Sequence, residues 1–383
     1  MTGGPGLTDL LRLVPRGGPA VCNVSVTNVC NATCNFCNFA HDKGLVTDRR
    51  WLDAGRFAEA LALLRDRADV RFVTFMGGEP LLHPRIVEMA ADAAAMGVQP
   101  TLVTNGWLLP AKLDALADAG VTTLFVSVDA ADAHVHEENR GLKGVCARIR
   151  EATARLTARG VMPVASVAMT RLIGDYYALA AFLRKLGFAA VTFSYPRKAA
   201  LGSSSLVWSE DSDLVDFSSS DLIAAFDAVE AMRAVFPVQN PRASIADMKR
   251  RLQGEAERFV CLAGYKYFYL DWNFNLWRCE AWRQPLCPVW DFDASRMVRD
   301  GCQACMTDCY RDASVMLHLP VAIGDAFARL REGRPRAAAA ALTDRRNAAS
   351  FGAVIGHGSR LSRLAGFKQR FAACPTDDGC APY

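Results

Sequence analysis

The chain has 383 residues, of which 51% are hydrophobic and 22% charged, and its formal net charge is +4. This is the composition of a globular protein with a large core, and so small a charge excess does not indicate a nucleic-acid partner. No apolar run reaches the ~20 residues that a membrane span requires, and residues 1–20 lack the pattern of a signal peptide. We therefore expect a cytoplasmic protein without a transmembrane segment, in which residues 1–20 form a loosely docked tail.

Residues 21–236 alternate short apolar strands with longer helical patterns. Uninterrupted apolar runs such as "VRFVTFM" (70–76) are typical of strands buried on both faces, and Gly97 ends one of the helices between them. Six strand–helix repeats predict a parallel α/β sheet. The periodicity alone does not distinguish an open doubly wound sheet from a barrel.

The composition changes in the second half of the chain. A Gly/Ser-rich stretch, 200–220, predicts a long loop, and a helix over 221–236 is closed by Pro237 and Pro241. Residues 237–317 are rich in cysteine and aromatic residues but too few for a large core, so a metal group is expected to stabilise them. Residues 318–383 predict a helical extension and tail.

The stretch "CNATCNFC" places Cys30, Cys34 and Cys37 directly after the first strand. Structural zinc takes four ligands, and iron–sulfur clusters also usually take four thiolates. Three thiolates on a cubane leave one iron open to a substrate or cosubstrate, although His41 lies four residues on and zinc stays an alternative. The loop follows a strand's carboxyl end, where α/β barrels place their chemistry.

A second motif, "VTFMGGEP", follows the second strand. Gly77 and Gly78 carry no Cβ and so let the backbone approach a ligand closely, and Pro80 ends the motif. Between them, Glu79 offers a carboxylate that can accept a hydrogen bond from an ammonium group. Alone the motif is an ordinary turn, but its place one strand–helix unit after the three cysteines indicates a shared site.

These two motifs together resemble the radical S-adenosylmethionine (SAM) enzymes, in which an aromatic residue, here Phe36, precedes the last cysteine. The resemblance implies a partial (β/α)6 TIM-like barrel with a 4Fe–4S cluster on the three cysteines. SAM would chelate the fourth iron through its amino and carboxylate groups, with the amino group held by the Gly-Gly-Glu segment.

The same resemblance implies further SAM contacts at later strand ends. The candidates are Thr104, Asn105, Ser127, Asp129 and Arg140. Helix capping or a surface ion pair is the alternative role for each of them. Met169, Phe193 and Tyr195 are expected to form the pocket wall near the adenine.

A third group of cysteines lies near the C-terminus and resembles the auxiliary-cluster extension called SPASM, or its shorter twitch form. We predict a small Cys-rich domain with one auxiliary 4Fe–4S cluster on Cys261, Cys279, Cys302 and Cys305, with Cys309 as the substitute ligand. A zinc knuckle is the alternative. Phe274 stands where the family's hairpin has glycine. Cys22 and Cys146 are expected in the core, and the roles of Cys287, Cys374 and Cys380 stay open.

The predicted function is reductive cleavage of SAM to a 5′-deoxyadenosyl radical that abstracts a substrate hydrogen atom, for oxidation or bond formation. An external one-electron reductant such as flavodoxin or ferredoxin would serve a small-molecule, lipid or peptide substrate. The C-terminal block "CQACMTDCYRDASVM" also resembles that of adenosylhopane synthase, so radical addition to a lipid alkene is one alternative. Val103 stands where that enzyme carries a cysteine. A non-catalytic iron–sulfur electron carrier or sensor is the other alternative.

Overall fold

The computed structural model describes residues 5–41, 48–199 and 201–355. Apolar runs rich in β-branched and aromatic residues form its strands. The strands are β1 Ala20–Thr27, β2 Val70–Gly77, β3 Gln99–Thr104, β4 Thr123–Ser127, β5 Met162–Ala168, β6 Ala190–Ser194, β7 Tyr267–Leu270, β8 Asn275–Trp277 and β9 Cys287–Pro288.

Helices follow most of the strands, and several begin at an aspartate whose carboxylate accepts from the first backbone N–H groups, as Asp53 and Asp175 do. The helices are α1 Leu7–Leu13, α2 Asn38–His41, α3 Ala54–Arg67, α4 Ile86–Ala95, α5 Leu109–Asp118, α6 Ala133–Arg140, α7 Val145–Ala158, α8 Tyr176–Lys185, α9 Ser219–Met232, α10 Arg242–Leu252, α11 Asp308–Arg331 and α12 Pro335–Leu342.

The nine strands form one sheet in the order β6-β5-β4-β3-β2-β1-β7-β8-β9, with β1 to β6 parallel. Side chains from all six parallel strands line one shared cavity, an arrangement that requires a curved sheet. The predicted α/β fold with a partial barrel is therefore confirmed. Because the sheet is curved, the fold is the partial barrel and not the open doubly wound sheet, the two folds that the sequence periodicity could not distinguish.

The end of β2 packs unusually closely on the end of β1. A Cβ on Gly77, whose φ is +121°, would lie 2.4 Å from the Thr27 carbonyl oxygen, and a Cβ on Gly78 would lie 2.2 Å from that of Val29. The backbone N–H of Gly78 donates to Thr27 and that of Glu79 to Val29, each at 2.8 Å. Both glycines are thus required by chain-to-chain packing, a reason that the sequence analysis did not foresee.

The cysteine-rich region extends the barrel's own sheet, because β7 pairs with β1 in parallel and β8 and β9 follow in antiparallel order. The predicted boundary at residues 317 and 318 falls inside the 24-residue helix α11. This placement corrects the start of the C-terminal extension, since the helix runs without a break from the cysteine-rich region into the Ala-rich one.

Pro320 lies inside α11 and lacks the N–H that would bond to the carbonyl of Met316. The fully buried Ser350 replaces it: its hydroxyl donates to the Met316 oxygen at 3.1 Å and accepts from the Leu319 N–H at 3.0 Å. Ser350, from the segment after α12, thereby stabilises α11 at the turn that contains Pro320.

The N-terminal residues from 5 onward are docked rather than loose. Arg71 on β2 donates to Asp9 on α1 at 2.6 Å. A Cβ on Gly324 of α11 would lie 2.4 Å from the backbone nitrogen of Gly17, so the two segments touch backbone to backbone. The expectation of a loosely docked tail was wrong for the described residues 5–20.

By length and composition, α11 is the one helix in the described part of the chain that is long and apolar enough to cross a membrane. A third of its most apolar window is buried against the rest of the protein. Its middle contacts Gly17 and its first turn lines the barrel cavity, so it has the contacts of a packed helix.

Three isolated cysteines lie in the main core. Cys22 is fully buried on β1, Cys146 is buried on α7, and Cys287 is buried on β9. The first two were expected there. Cys374 and Cys380 lie outside the described residues.

The close packing at Gly78 gives a first prediction. Gly78→Ala forces the new methyl group onto the Val29 carbonyl and should lower the free energy of unfolding by ~1–3 kcal/mol. The matched control is Gly174→Ala, because a Cβ there meets no atom within 4 Å. Thermal unfolding under anaerobic conditions measures both, and equal melting temperatures for the two variants would contradict the assignment.

A second prediction concerns Ser350 and Pro320. Ser350→Ala removes the hydroxyl that donates to the part-buried Met316 carbonyl, which should cost ~1–3 kcal/mol of stability. In a Pro320→Ala background the restored N–H can reach that carbonyl, so the cost of Ser350→Ala should fall by at least half. A double-mutant cycle by denaturant unfolding tests this, and the same cost in both backgrounds would refute it.

Candidate active site

The candidate active site is a cavity of about 380 Å³ at the carboxyl ends of the parallel strands. Three segments frame it: the Cys loop (30–37) after β1, the GGEP segment (77–80) after β2, and the first turns of α11. Strand ends of a parallel sheet meet at one edge, so residues far apart in sequence come together there. The predicted residues inside it are Cys30, Cys34, Phe36, Cys37, Gly77, Gly78, Glu79, Thr104, Asn105, Ser127 and Arg140.

The three thiols of the Cys loop share this cavity. Burial raises the pKa of Cys30 to about 11 and that of Cys34 to about 12, while the Arg140 guanidinium acts in the opposite direction on both. A metal group would therefore have to displace the protons of neutral thiols, as metal binding ordinarily does. His41 does not join them, because its Nε2 lies 3.0 Å from the Cys34 carbonyl oxygen and is used there.

The predicted long loop folds over the Cys loop. Backbone N–H groups of Asn38 and Ser209 bond across the two segments, to Leu206 and Phe36, at 2.8 and 2.9 Å. The ring of Trp208 lies 6.0 Å from that of Phe36, and Trp208 is 4% exposed. This cover closes one side of the cavity, and no motif in the sequence signalled it.

Glu79 is 1% exposed, and its carboxylate joins the turn after β2 to the end of β3. Its Oε1 accepts from the Leu81 N–H at 2.9 Å and from the Thr104 hydroxyl at 2.7 Å, and its Oε2 accepts from the Asn105 N–H at 2.7 Å. Burial raises the pKa of Glu79, and these hydrogen bonds oppose that shift. A carboxylate has about four acceptor sites, so one acceptor position, on Oε2, is left for a ligand.

The strand-end residues after β3 serve this anchor. The Asn105 side chain donates to Asn31 of the Cys loop at 2.7 Å and accepts from the Trp107 N–H at 2.9 Å. Thr104 is held by Glu79. Both residues line the cavity, and their polar groups already have hydrogen-bond partners in the protein. Their contacts with SAM stay predictions.

Arg140 is 7% exposed and points into the cavity from the end of α6. Asp129 holds it in a two-pronged ion pair, with distances of 2.6 and 2.8 Å. The Arg140 carbonyl accepts from the Thr33 N–H at 2.9 Å, which ties α6 to the Cys loop. Asp129 and Pro80 are not among the lining residues: Asp129 positions Arg140, and Pro80 begins the turn Pro80–Leu82. Their contacts with the cofactor stay predictions.

The expected adenine wall was assigned to the wrong face of the strands. Met169, Phe193 and Tyr195 are buried in the core, and the cavity is lined instead by the side chains that alternate with them. A strand's side chains change face at every residue, so a shift of one position reverses the assignment. The lining residues of β5 and β6 are Ser166, Ala168, Thr192 and Ser194.

A second, much smaller cavity lies in the cysteine-rich region. It brings together four thiols, those of Cys261, Cys279, Cys302 and Cys305. Cys309, the substitute ligand of the sequence analysis, lines the large cavity instead. The choice of four thiols made from sequence thus matches one shared cavity, although their role as ligands stays a prediction.

Two buried guanidinium groups border this small cavity with unused donors. Arg278 Nε and Arg311 Nη1 have no hydrogen-bond partner among the described residues, although other nitrogens of the two arginines pair with Asp300 and Glu257. Buried donors without partners are costly, and an iron–sulfur cluster on four thiolates presents negatively charged sulfurs. The donor set therefore fits such a cluster.

One acidic part of the large cavity's wall was not foreseen. It carries Glu280, Asp308 and Asp312 together with Cys309. Burial raises the pKa of Glu280 to about 7 and that of Asp312 to about 6. The motif "CMTDCYRD" contained this signal, since residues 308, 309 and 312 share one face at the start of a helix.

Comparison with known proteins identifies the domain that builds this site. Residues 24–176 match the sequence model of the family described as "Radical SAM superfamily". GTP 3′,8-cyclase of Chlorobaculum tepidum is 38% identical over 126 residues, which cover 32% of this chain and 37% of that protein. AdoMet-dependent heme synthase of Methanosarcina barkeri is 33% identical over 125 residues, or 32% of this chain and 35% of that protein. The chain thus spans well under half the length of these curated relatives.

Solved structures show the fold. SuiB of Streptococcus suis, bound to the precursor peptide SuiA, has a TM-score of 0.52 at 15% identity and covers 82% of this chain and 76% of its own. The comparisons do not show the predicted resemblance to adenosylhopane synthase. Residues 24–176 match this family model, which supports the radical SAM resemblance predicted from the Cys loop and the GGEP segment.

Proposed function

We propose that the protein uses the Cys loop to hold a 4Fe–4S cluster and cleaves SAM reductively to act on a substrate in the barrel cavity. The observation that carries the proposal is the meeting of three thiols, the Glu79 carboxylate and the Arg140 guanidinium in one cavity. When bound, the reduced cluster would supply the electron that splits SAM into methionine and a 5′-deoxyadenosyl radical.

The chain's own residues orient SAM through opposite charges. Glu79 has an acceptor position for the ammonium group, and Arg140 offers a guanidinium for the carboxylate. Asp129 fixes the Arg140 rotamer, and Asn105 ties the Glu79 anchor to the Cys loop. Such rigid placement lowers the entropic cost of bringing the reacting atoms together.

The cavity also protects a reactive radical from water. Trp208 and Val207 of the covering loop close one side, and apolar side chains such as Met76 and Phe125 line the strand ends. Because water-excluding sites suppress side reactions, this lining supports abstraction of a hydrogen atom from a bound substrate.

The four thiols of the small cavity support an auxiliary 4Fe–4S cluster in residues 237–317, beside a radical SAM barrel over residues 21–236. No three His, Cys, Asp or Glu side chains of the described chain are grouped as around one metal ion. A cubane takes its thiolates at separate irons, which suits thiols spread around a cavity better than a zinc knuckle does. Such a cluster favours net oxidation or bond formation.

The proposed reaction also needs an electron donor and a substrate. An external one-electron donor such as flavodoxin or ferredoxin would reduce the cluster in the cytoplasm. The relatives act on different substrates, as the names GTP 3′,8-cyclase and heme synthase show, and SuiB is seen with a peptide. No contact in the cavity specifically favours radical addition to a lipid alkene, so that alternative stays a prediction only.

The thiol assignment predicts iron content. Reconstituted protein should carry about eight irons, as two cubanes. Replacing Cys30, Cys34 and Cys37 by alanine should leave about four, and Cys302→Ala with Cys305→Ala should also leave about four. Cys309→Ala is the matched control and should keep about eight; iron analysis and electron paramagnetic resonance measure each. Loss of half the iron in Cys309→Ala alone would overturn the assignment.

The proposed function itself predicts SAM cleavage without a substrate. With dithionite and SAM, the reconstituted enzyme should slowly release 5′-deoxyadenosine, measured by chromatography. Cys34→Ala should abolish the release, because the cluster loses a ligand. The Cys302→Ala, Cys305→Ala variant should keep it if circular dichroism shows that it is folded. A loaded wild-type enzyme that binds no SAM and releases no 5′-deoxyadenosine would instead favour the electron carrier.

A further inference from the structure

We infer that the substrate of this enzyme carries an amine, and that the acidic wall of the cavity binds its ammonium group. The acidic wall is defined as Glu280 and, on the first turns of α11, Asp308 and Asp312. The inference rests on the proposed function in one respect. SAM must bind beside the Cys loop, so that the acidic wall is left for the substrate.

An unused buried acceptor points to a ligand. Glu280 is 3% exposed, it lines the cavity, and its Oε1 has no hydrogen-bond partner among the described residues. An unpaired buried carboxylate oxygen is costly, so a donor from outside the chain is expected there. Because Glu280 is among the residues that line the cavity, a molecule bound there can supply that donor.

The charges around the cavity specify the kind of donor. Arg140 is the one Lys or Arg among the described lining residues, and Asp129 already neutralises it. The nearest arginines of the cysteine-rich region are also paired, Arg278 with Asp300 and Arg311 with Glu257. None of the three wall carboxylates forms an ion pair with a Lys or Arg of the described chain, although the Arg233 charge opposes the raised pKa of Asp312. A positively charged ligand would supply such a partner.

The acidic wall is also held in place for binding. The Asp312 carboxylate accepts from the Tyr195 hydroxyl at 3.1 Å and from the Asn240 side chain at 2.7 Å. Asp308 lies in the first turn of a long helix, where the helix dipole favours a negative charge, but burial and the nearby Asp312 raise its pKa. A bound cation would oppose that shift. Several acceptors on one wall suit an ammonium group, which has three donors, better than a neutral hydroxyl.

The test measures binding of three probes of equal length to the reconstituted enzyme with saturating SAM. Hexylamine, hexanol and hexanoate carry a cationic, a neutral and an anionic head group on the same six-carbon scaffold, and saturation-transfer NMR gives their dissociation constants. Hexylamine should bind at least tenfold more tightly than the other two. Equal or tighter binding of hexanoate, or binding of the polyol myo-inositol without binding of hexylamine, would overturn the inference.

Variants assign the binding to the acidic wall. Glu280→Gln and Asp308→Asn keep the side-chain shapes and should each weaken hexylamine at least fivefold, with hexanol unchanged. Glu332→Gln, at the exposed far end of α11, is the control and should change nothing. Unchanged hexylamine affinity in both wall variants would overturn the inference, as would a loss of SAM affinity, because the wall would then serve SAM.

This outcome is separable from that of the proposed function. Release of 5′-deoxyadenosine without hexylamine binding would refute the amine substrate and leave SAM cleavage standing. Wall-dependent hexylamine binding without any SAM cleavage would refute the proposed function and leave an amine-binding cavity.

Discussion

The buried carboxylate of Glu79 is the contact on which the rest of the site depends. It joins the GGEP segment to the end of β3, and through Asn105 it reaches Asn31 of the Cys loop. Each charge-assisted hydrogen bond of this kind contributes ~1.5–3 kcal/mol, which offsets the cost of burying the carboxylate. The approach is possible because Gly78 has no Cβ to separate β2 from the residues after β1.

Charge is distributed unevenly around the cavity that this anchor shapes. At the Cys-loop end, a positive Arg140 and a negative Glu79 lie near three thiols. The acidic wall carries carboxyl groups that form no ion pair with a Lys or Arg of the described chain. Under the proposed function, this division would place a zwitterionic cosubstrate and a cationic substrate in one space, as transfer of a hydrogen atom between them requires.

The cysteine-rich region takes part in both cavities. Strand β7 pairs with β1, and its Tyr267 packs on Tyr310 of α11 at 4.6 Å between ring centres. Cys305, before the start of α11, faces the small cavity, and Cys309, four residues further on, faces the large one. Cys279 of the small cavity is followed directly by Glu280 of the large one, so a group held by the four thiols would lie close to the acidic wall.

The sequence by itself determined the parallel α/β repeat, the three-thiol loop with its GGEP partner, and the four cysteines that share the small cavity. These features depend on local spacing and on the rule that parallel strand ends meet at one edge. It also indicated that Cys22 and Cys146 are core residues, because each stands alone in an apolar periodic segment.

Only the tertiary structure decided which face of β5 and β6 lines the cavity, since a shift of one residue exchanges the two faces of a strand. It also decided that Asp129 holds Arg140, that Ser350 replaces the N–H missing at Pro320, and that Cys309 turns away from the other four thiols. Each of these facts joins residues separated by a helical turn or by many residues along the chain. Sequence spacing gives their distance along the backbone, whereas packing sets the direction in which each side chain points.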